Sequence, residues 1–570
     1  MVNWWVGTTL AVAVASVCIT GGALAQQTTP LPGSAEPGRI DERFQPGVPE
    51  PLSQPGETPA AEDQVAPEGA AQQTFVLTGV TVENSTVFAP GDFQPLFADM
   101  IGQSVSLADI YTIANQATAV YRNAGYILSR VVVPPQDIIG GVVTLQAVEG
   151  YVDQVTVEGD IGGDVGLIEA YGEKIRAARP LNASDLERYL LLAGDLAGAE
   201  ARGVLSPSAT VPGASDLAIV MEHDPFDAFA AIDNRGSRFV GEWIGTAGVG
   251  VNSVLGQWEE FNVTAATSSQ FEELAFGEFA ATLPITSEGT TLTWRNSYSF
   301  SEPGDILKPN DVDSRAWRFS LEASHPYIRS RTENLFVGAV LEWNHFKSTT
   351  QGATFSNDDL RVLRLSGTYD FVDDLLGVNL IRGELSQGVP WLGATESDDP
   401  NKSRAEGSGT FTKLQVDLQR LQRIAPGLNV LFAASGQVAN TALLASEEFG
   451  VGGAAFGRGY NSSEIIGDHG LSAKVELQYG RSVENYLGVL NSYQVYGFYD
   501  TGIVWNIEQP EGAVGGSHDT LNSVGAGLRL NVLDDVSVNL EVAHRIGREN
   551  NIDNLGIPDT RGFLSVIARF

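Results

Sequence analysis

The chain has 570 residues, 43% hydrophobic and 18% charged, with 63 glycines, a length that implies more than one domain. Its formal charge of −36 lacks the basic footprint that nucleic acid requires. Apart from the N-terminus, no apolar run reaches the roughly 18 residues of a membrane helix, a test blind to barrels because their lipid-facing and lumen-facing residues alternate.

Residues 1–25 are predicted to be a secretory signal peptide. An apolar stretch from Leu10 to Ile19 leads to small residues and an Ala23-Leu24-Ala25 cleavage-type site, although the segment carries no Lys or Arg. The stretch is short for an anchor. The lone cysteine, Cys18, lies inside it, so the mature chain is expected to hold no disulfide or catalytic thiol. The histidines (His223, His325, His345, His469, His518 and His544) are scattered without metal-ligand spacing, and neither metal nor cofactor is expected. Residues 26–72 are rich in Pro, Gly, Glu, Gln and Ala and read as a linker. Within them Arg39–Phe44 is a candidate helix.

Two small α+β units follow, at 73–150 and 151–224. In the first, a strand-like run (Phe75–Val82) precedes a helix opened by a Ser106/Asp109 capping box and carrying Leu107, Ile110, Tyr111, Ala114, Ala117, Val120 and Tyr121 on one face. Gly125 stops it, and strands Ser129–Val133 and Val142–Val148 complete a β-α-β-β order. The second unit repeats the plan with a strand at Val152–Glu158 and a helix from about Ser184. Strands near Ala201–Leu205 and Leu217–Met221 close it.

From 225 to 570 the period changes to two. In Gly470–Tyr479 the residues Leu471, Ala473, Val475, Leu477 and Tyr479 alternate with Ser472, Lys474, Glu476 and Gln478, and Val536–Val542 and Ser523–Asn531 behave alike. Such segments of about ten residues mark a membrane barrel. Sixteen of them run from 226–236 to 560–570, an even count that lets an antiparallel barrel close. Even-numbered segments are mostly left by short turns and odd-numbered ones by longer loops. The expected fold is membrane β, a 16-stranded antiparallel transmembrane barrel behind two periplasmic α+β units. A soluble sandwich or propeller fits less well, because no four-strand blade period is present and the chain ends on a strand closed by Phe570.

The longest connection, 438–469, holds Phe456, Gly457, Arg458, Gly459 and Tyr460 in a glycine-rich, apolar setting. A surface loop is ordinarily polar, whereas glycines suit a hairpin folded into a confined space, where a guanidinium needs a partner. Strand thirteen offers one: Gln494, Tyr496, Phe498 and Asp500 share one face, which puts Asp500 on the lumen wall. An ordinary surface loop and a solvated aspartate fit these residues equally well.

Several motifs in order resemble the two-partner secretion transporters of the ShlB/FhaC/HecB type, a branch of the BamA-like superfamily. Arg458-Gly459-Tyr460 resembles the family's loop-six motif, and Phe498-Tyr499-Asp500-Thr501-Gly502 its strand motif with Phe, Asp and Gly at alternate positions. Ser446-Glu447-Glu448-Phe449, Gly467-Asp468-His469-Gly470 and Asp233-Asn234-Arg235-Gly236-Ser237 also fit. So do Gly125-Tyr126, Pro134-Pro135-Gln136-Asp137 and Val148-Glu149-Gly150-Tyr151 of a first periplasmic (POTRA) domain, and Pro212-Gly213-Ala214-Ser215-Asp216-Leu217 of a second. Gly457 departs from the pattern, since the family usually has Val or Ile before the arginine, and this is expected to loosen the loop tip. The resemblance implies transport without chemistry. A monomeric outer-membrane barrel, embedded in lipid, binds an unfolded secreted exoprotein through its POTRA domains and passes it through the lumen, gated by loop six and a plug helix near 39–44.

Other readings fit poorly. Asp500-Thr501-Gly502 spells an aspartic-protease triplet, but that chemistry needs two such carboxylates and only one triplet is present, so no enzyme is expected. The glycine-rich loop lacks the Gly-Lys-Ser/Thr of a phosphate cradle. A BamA-like insertase is the nearer rival, and a passive porin has no use for POTRA-like units.

Overall fold

The computed structural model describes residues 31–44, 47–54, 63–486, 489–507, 518–533, 535–546 and 558–570. The signal-type segment and Cys18 lie outside these residues. Residues Pro32–Phe570 form one unit.

In the first α+β unit the strand-like run breaks at Leu77-Thr78. Thr74–Val76 pairs with Ser104–Ser106, while Gly79–Glu83 runs parallel to Val142–Val148, which also pairs antiparallel with Arg130–Val132. Helix Leu107–Asn123 starts at the expected capping box: the Ser106 amide donates to the Asp109 carboxylate at 2.8 Å, and the Asp109 amide donates to Ser106 Oγ at 3.3 Å. Its buried face of Ile110, Ile113, Ala114, Ala117 and Tyr121 packs with Leu77, Val131, Val143 and Leu145. Glu149 braces the unit, accepting from the Thr86 amide at 2.8 Å, the Val87 amide at 3.1 Å and the Tyr121 hydroxyl at 2.8 Å. Burial alone would raise this carboxyl; the hydrogen bonds from Thr86, Tyr121 and Val87 outweigh it and hold it below the usual range.

The second unit repeats the sheet, with Val152–Gly159 parallel to Ser215–His223 and Ala199–Pro207 antiparallel to it. It contains one helix beyond the predicted order. Val165–Ala177, capped by Asp164, buries Ile168, Tyr171 and Ile175 ahead of helix Ala183–Gly194. The first unit likewise has a second, short helix, Pro90–Phe93, and it adds the small ribbon of Thr74–Val76 and Ser104–Ser106 to the shared three-stranded sheet and long helix. The units are joined by backbone bonds from Leu181 to the Gly150 carbonyl (2.9 Å) and from Ala183 to the Gly125 carbonyl (2.8 Å).

Sixteen antiparallel strands, from Phe226–Asp233 to Thr560–Arg569, close into a barrel, with the last strand pairing the first from Ser565–Asp233 to Arg569–Phe229. Asn234 extends this seam: its side chain accepts from the Leu564 amide at 2.8 Å and donates to the Gly562 carbonyl at 3.0 Å. All sixteen predicted segments are strands. The alternation holds, as in strand twelve (His469–Tyr486), where Leu471, Val475 and Leu477 face outward and Ser472, Glu476 and Gln478 are buried inward. Outside, an aromatic ladder of Phe261, Phe279, Trp294, Phe319 and Trp343 crosses strands three to seven, as expected of a girdle at a bilayer interface. The turn pattern departs from the predicted asymmetry most at strand seven, while the connection after strand three, 269–274, is no longer than its neighbours. Strand seven (Glu333–Thr350) passes to strand eight (Ala353–Val372) through Gln351-Gly352 alone, because both strands run on past the wall in place of a loop.

The second unit is locked to the barrel's short turns. Trp258, in the turn between strands two and three, is 1% exposed and packs in that unit's core with Leu181, Leu196 and Met221. Its indole N–H donates to the Asp164 carbonyl at 2.9 Å. Arg329 grips Asp195 with two bonds of 2.8 and 2.7 Å, and Lys174 pairs with Glu288. Trp258→Ala is expected to cost about 3–5 kcal/mol of docking energy. Limited proteolysis should then cut between the second unit and the barrel far faster than in the parent, and an unchanged rate would contradict the role of Trp258.

Candidate functional site

Loop six spans residues 440–468 between strands eleven (Leu428–Ala439) and twelve, and it turns inward. Phe449–Val451 and Ile465–Gly467 pair as a short antiparallel hairpin, and Phe449, Val451, Tyr460 and Ile465 pack with Val504 and Leu521 of the barrel wall. Both feet are pinned. Arg364 and Lys413 each reach Glu447 at 2.8 Å, while Arg404 pairs with Glu448 at 3.0 Å and Asp468 at 2.5 Å.

At the tip, the structure brings Arg458 and Asp500 together. Asp500, on strand thirteen (Leu490–Trp505), is wholly buried. It receives Arg458 side-on, Nε to Oδ2 at 3.0 Å and Nη2 to Oδ1 at 2.9 Å, and also accepts the Gly457 and Arg458 amides at 3.2 and 3.0 Å. The guanidinium carbon lies 3.4 Å from the centre of the Phe498 ring, so one flat cation is clamped by a carboxylate edge and an aromatic face. Two further acids complete the cage. Glu476 of strand twelve lies 2.6 Å from Arg458 Nη1, and Glu541 of strand fifteen (Val536–Ile546) lies 3.4 Å away. Arg529 pairs with Glu476 at 2.8 Å and Arg235 with Glu541 at 2.7 Å. Each acid of the cage thus has a cationic partner, which offsets the cost of burying its charge. Tyr460 is buried beside Arg545, whose guanidinium carbon lies 5.5 Å from the ring centre.

The glycines explain the departure from the family pattern. Gly457 has φ +78°, a backbone a β-branched residue avoids, and a Cβ there would lie 2.6 Å from Leu521 Cδ1. The glycine therefore lets the tip turn its own amide onto Asp500, where the sequence led us to expect a looser tip. Gly502 faces the hairpin, where a Cβ would stand 2.4 Å from Val451 Cγ1. Gly459 is similarly close to Arg545. Gly457→Val is expected to cost about 1–2 kcal/mol from the backbone alone and to displace the tip. Amide exchange of loop six should accelerate, and unchanged exchange would refute this account.

Beside loop six lies the helix Pro37–Glu42, two residues ahead of the predicted Arg39–Phe44. Ala35 and Ile40 are buried with Phe239, Ile244 and Phe276 of the wall and the strand one–two loop, and Phe44 stacks on Phe276 at 4.5 Å. Arg39 donates to the Ala445 carbonyl of loop six at 2.9 Å, Arg318 donates to the Gly38 carbonyl at 3.1 Å, and Arg43 pairs with Asp233 at 2.7 Å. Gly38 sits so close to Ser446 that a Cβ would approach its Cβ to 2.5 Å. The helix lies inside the barrel with loop six as one wall.

The sequence reading named Arg458, Asp500, Phe498 and the glycines but missed Glu476, Glu541 and Arg529 as partners. The inward phase of strands twelve and fifteen already put both glutamates in the lumen. Their height on the wall depends on strand register, which alternation does not encode.

Comparison with known proteins agrees with this architecture. The family model described as haemolysin secretion/activation protein ShlB/FhaC/HecB matches residues 213–530, and one described as POTRA domain, ShlB-type, matches 75–150. The chain is 22% identical over 557 residues to the heme/hemopexin transporter protein HuxB of Haemophilus influenzae strain 86-028NP, covering 95% of this chain and 96% of the relative. It is 23% identical over 414 residues to the hemolysin transporter protein ShlB of Serratia marcescens, covering 70% and 71%. Among solved structures, CdiB from Escherichia coli superposes with a TM-score of 0.71 at 19% identity, covering 91% of this chain and 94% of that one. BamA from Haemophilus ducreyi lacking POTRA domains 1–3 gives 0.51 at 11% identity, covering 87% and 100%. With the family model matching more than half its length, the chain belongs to the ShlB/FhaC/HecB family of haemolysin secretion/activation proteins.

Proposed function

We propose that this protein is the outer-membrane transporter of a two-partner secretion system. In the periplasm its two POTRA domains hold an unfolded exoprotein by adding its strands to their sheet edges. The polypeptide then passes through the barrel lumen and folds at the cell surface, while loop six and the helix Pro37–Glu42, acting as a plug, close the path at rest. The observation that carries this reading is the filled lumen. A passive porin keeps a water-filled channel, whereas here an inward hairpin clamped by Arg458 and a buried helix share the interior. The relatives named as transporters support the same reading.

The test is export in cells. The chain is expressed together with a candidate partner, a large secreted β-protein sought among its neighbouring genes, and the medium is assayed for that partner. Export should require this chain and stop when Phe75–Met221 is deleted. Accumulation of the partner in the medium without the chain, or a general defect in outer-membrane barrel assembly on its removal, would overturn the proposal.

A further inference from the structure

The linker between plug and POTRA domains is held at one point in an unusual way. Asn115, on helix Leu107–Asn123, accepts from the Gln64 amide at 3.0 Å and donates to the Gln64 carbonyl at 3.1 Å. One side-chain amide thus satisfies both main-chain groups of a single residue, as a neighbouring strand would. This contact reads backbone and ignores side chains, and Val65 beside it is 89% exposed.

The same residue blocks a sheet edge. Arg130–Val132 is an edge strand, paired only with Val142–Val148. Val131 donates its amide to Thr118 Oγ1 at 2.9 Å, and its carbonyl accepts from Gln64 Nε2 at 2.7 Å. Both of its main-chain groups therefore point away from the sheet; Thr118 Oγ1 reaches the carbonyl only at 3.4 Å, and the linker makes the shorter bond, the one an incoming chain would replace. An exposed strand edge is a template for another chain unless something covers it.

We propose that the groove between helix Leu107–Asn123 and strand Arg130–Val132 is a receptor for extended polypeptide, filled at rest by linker residues 63–67 and in export by the unfolded exoprotein. This rests on the transport reading and gives it a first competitive step. The linker is fixed at its other end as well, where the Ser53 amide donates to Asp370 Oδ1 and the Gln54 amide to the Arg331 carbonyl, each at 2.7 Å. An arriving chain that evicts Gln64 frees the tether between the barrel rim and the first POTRA domain.

The experiment uses the purified full-length protein in detergent and Gln64→Pro, which removes both the amide donor and the side-chain amide. Two probes are titrated: a fluorescent peptide covering residues 61–70, and reduced, carboxymethylated lactalbumin as a generic unfolded chain. Vacating the groove should raise the apparent affinity for both by roughly tenfold or more, since binding is weakened by the fraction of molecules whose site is filled. Asn115→Leu in the Gln64→Pro background should abolish that gain, and its melting temperature reports whether the domain is intact. Equal affinities for the parent and Gln64→Pro would overturn the proposal. Binding of the peptide without the lactalbumin would overturn the receptor role. Both readouts are independent of export, so they separate from a failure of the transport reading.

Discussion

Arg458→Ala is expected to cut export of the partner at least about tenfold while the barrel still assembles. Removing one member of a buried ionic group costs about 3–5 kcal/mol because the remaining charges are left uncompensated. Here Asp500, Glu476 and Glu541 would lose the cation all three share, and the ion pairs of Arg529 with Glu476 and of Arg235 with Glu541 leave Asp500 without its bidentate partner. Each 1.4 kcal/mol is about tenfold in a population, so the docked state of loop six should lose two or more orders of magnitude. The wall is spared because its ladders do not pass through the loop. Heat-modifiable migration on a gel should therefore remain, together with surface delivery of the barrel. Asp500→Asn should be milder, since the asparagine keeps an acceptor for the Gly457 and Arg458 amides. If Arg458→Ala secretes normally, the clamp has no part in transport.

Deleting residues 32–44 should raise single-channel conductance in planar bilayers several-fold. A helix with its side chains is about 10–12 Å across, and this one packs against the wall through Ala35, Ile40 and Phe44 and against loop six through Arg39. Nothing in the barrel's strand pairing depends on it, so the vacated volume should fill with water and ions. The double variant lacking the helix and carrying Arg458→Ala should conduct more than either alone, because the helix and the Arg458 clamp are anchored to different parts of the wall. Unchanged conductance on deletion would place the helix outside the conduction path.

The barrel was legible because a period of two stands out in Gly470–Tyr479, Ser523–Asn531 and Val536–Val542, and the polar phase of Ser472, Glu476 and Gln478 told inside from outside without any knowledge of neighbours. Helix Val165–Ala177 was not, because Gly166 and Gly172 interrupt its pattern and only a stripe of Ile168, Tyr171 and Ile175 marks it. Trp258 was invisible for another reason. A tryptophan in a seven-residue turn reads as a rim aromatic until the domain that receives it is in place. The pairing of Arg458 with Asp500 rested on inward phase and family resemblance, whereas Glu476 and Glu541 join the cage through strand register, a property of the closed cylinder rather than of any single segment.

Strand eight carries a last consequence. Its residues 353–361 lie beyond the final pair with strand nine, Val362 with Gly388, and at about 3.3 Å per residue they raise roughly 30 Å of sheet above that neighbour. Loop 389–411 leans on this extension, with Asn357 donating to the Asn401 carbonyl at 2.6 Å and Thr395 to the Asp359 carbonyl at 2.8 Å. The pore mouth is therefore not radially symmetric. Under the transport proposed above, a chain leaving the lumen would meet a stiff parapet on this flank, and the barrel itself would bias the direction in which that chain begins to fold.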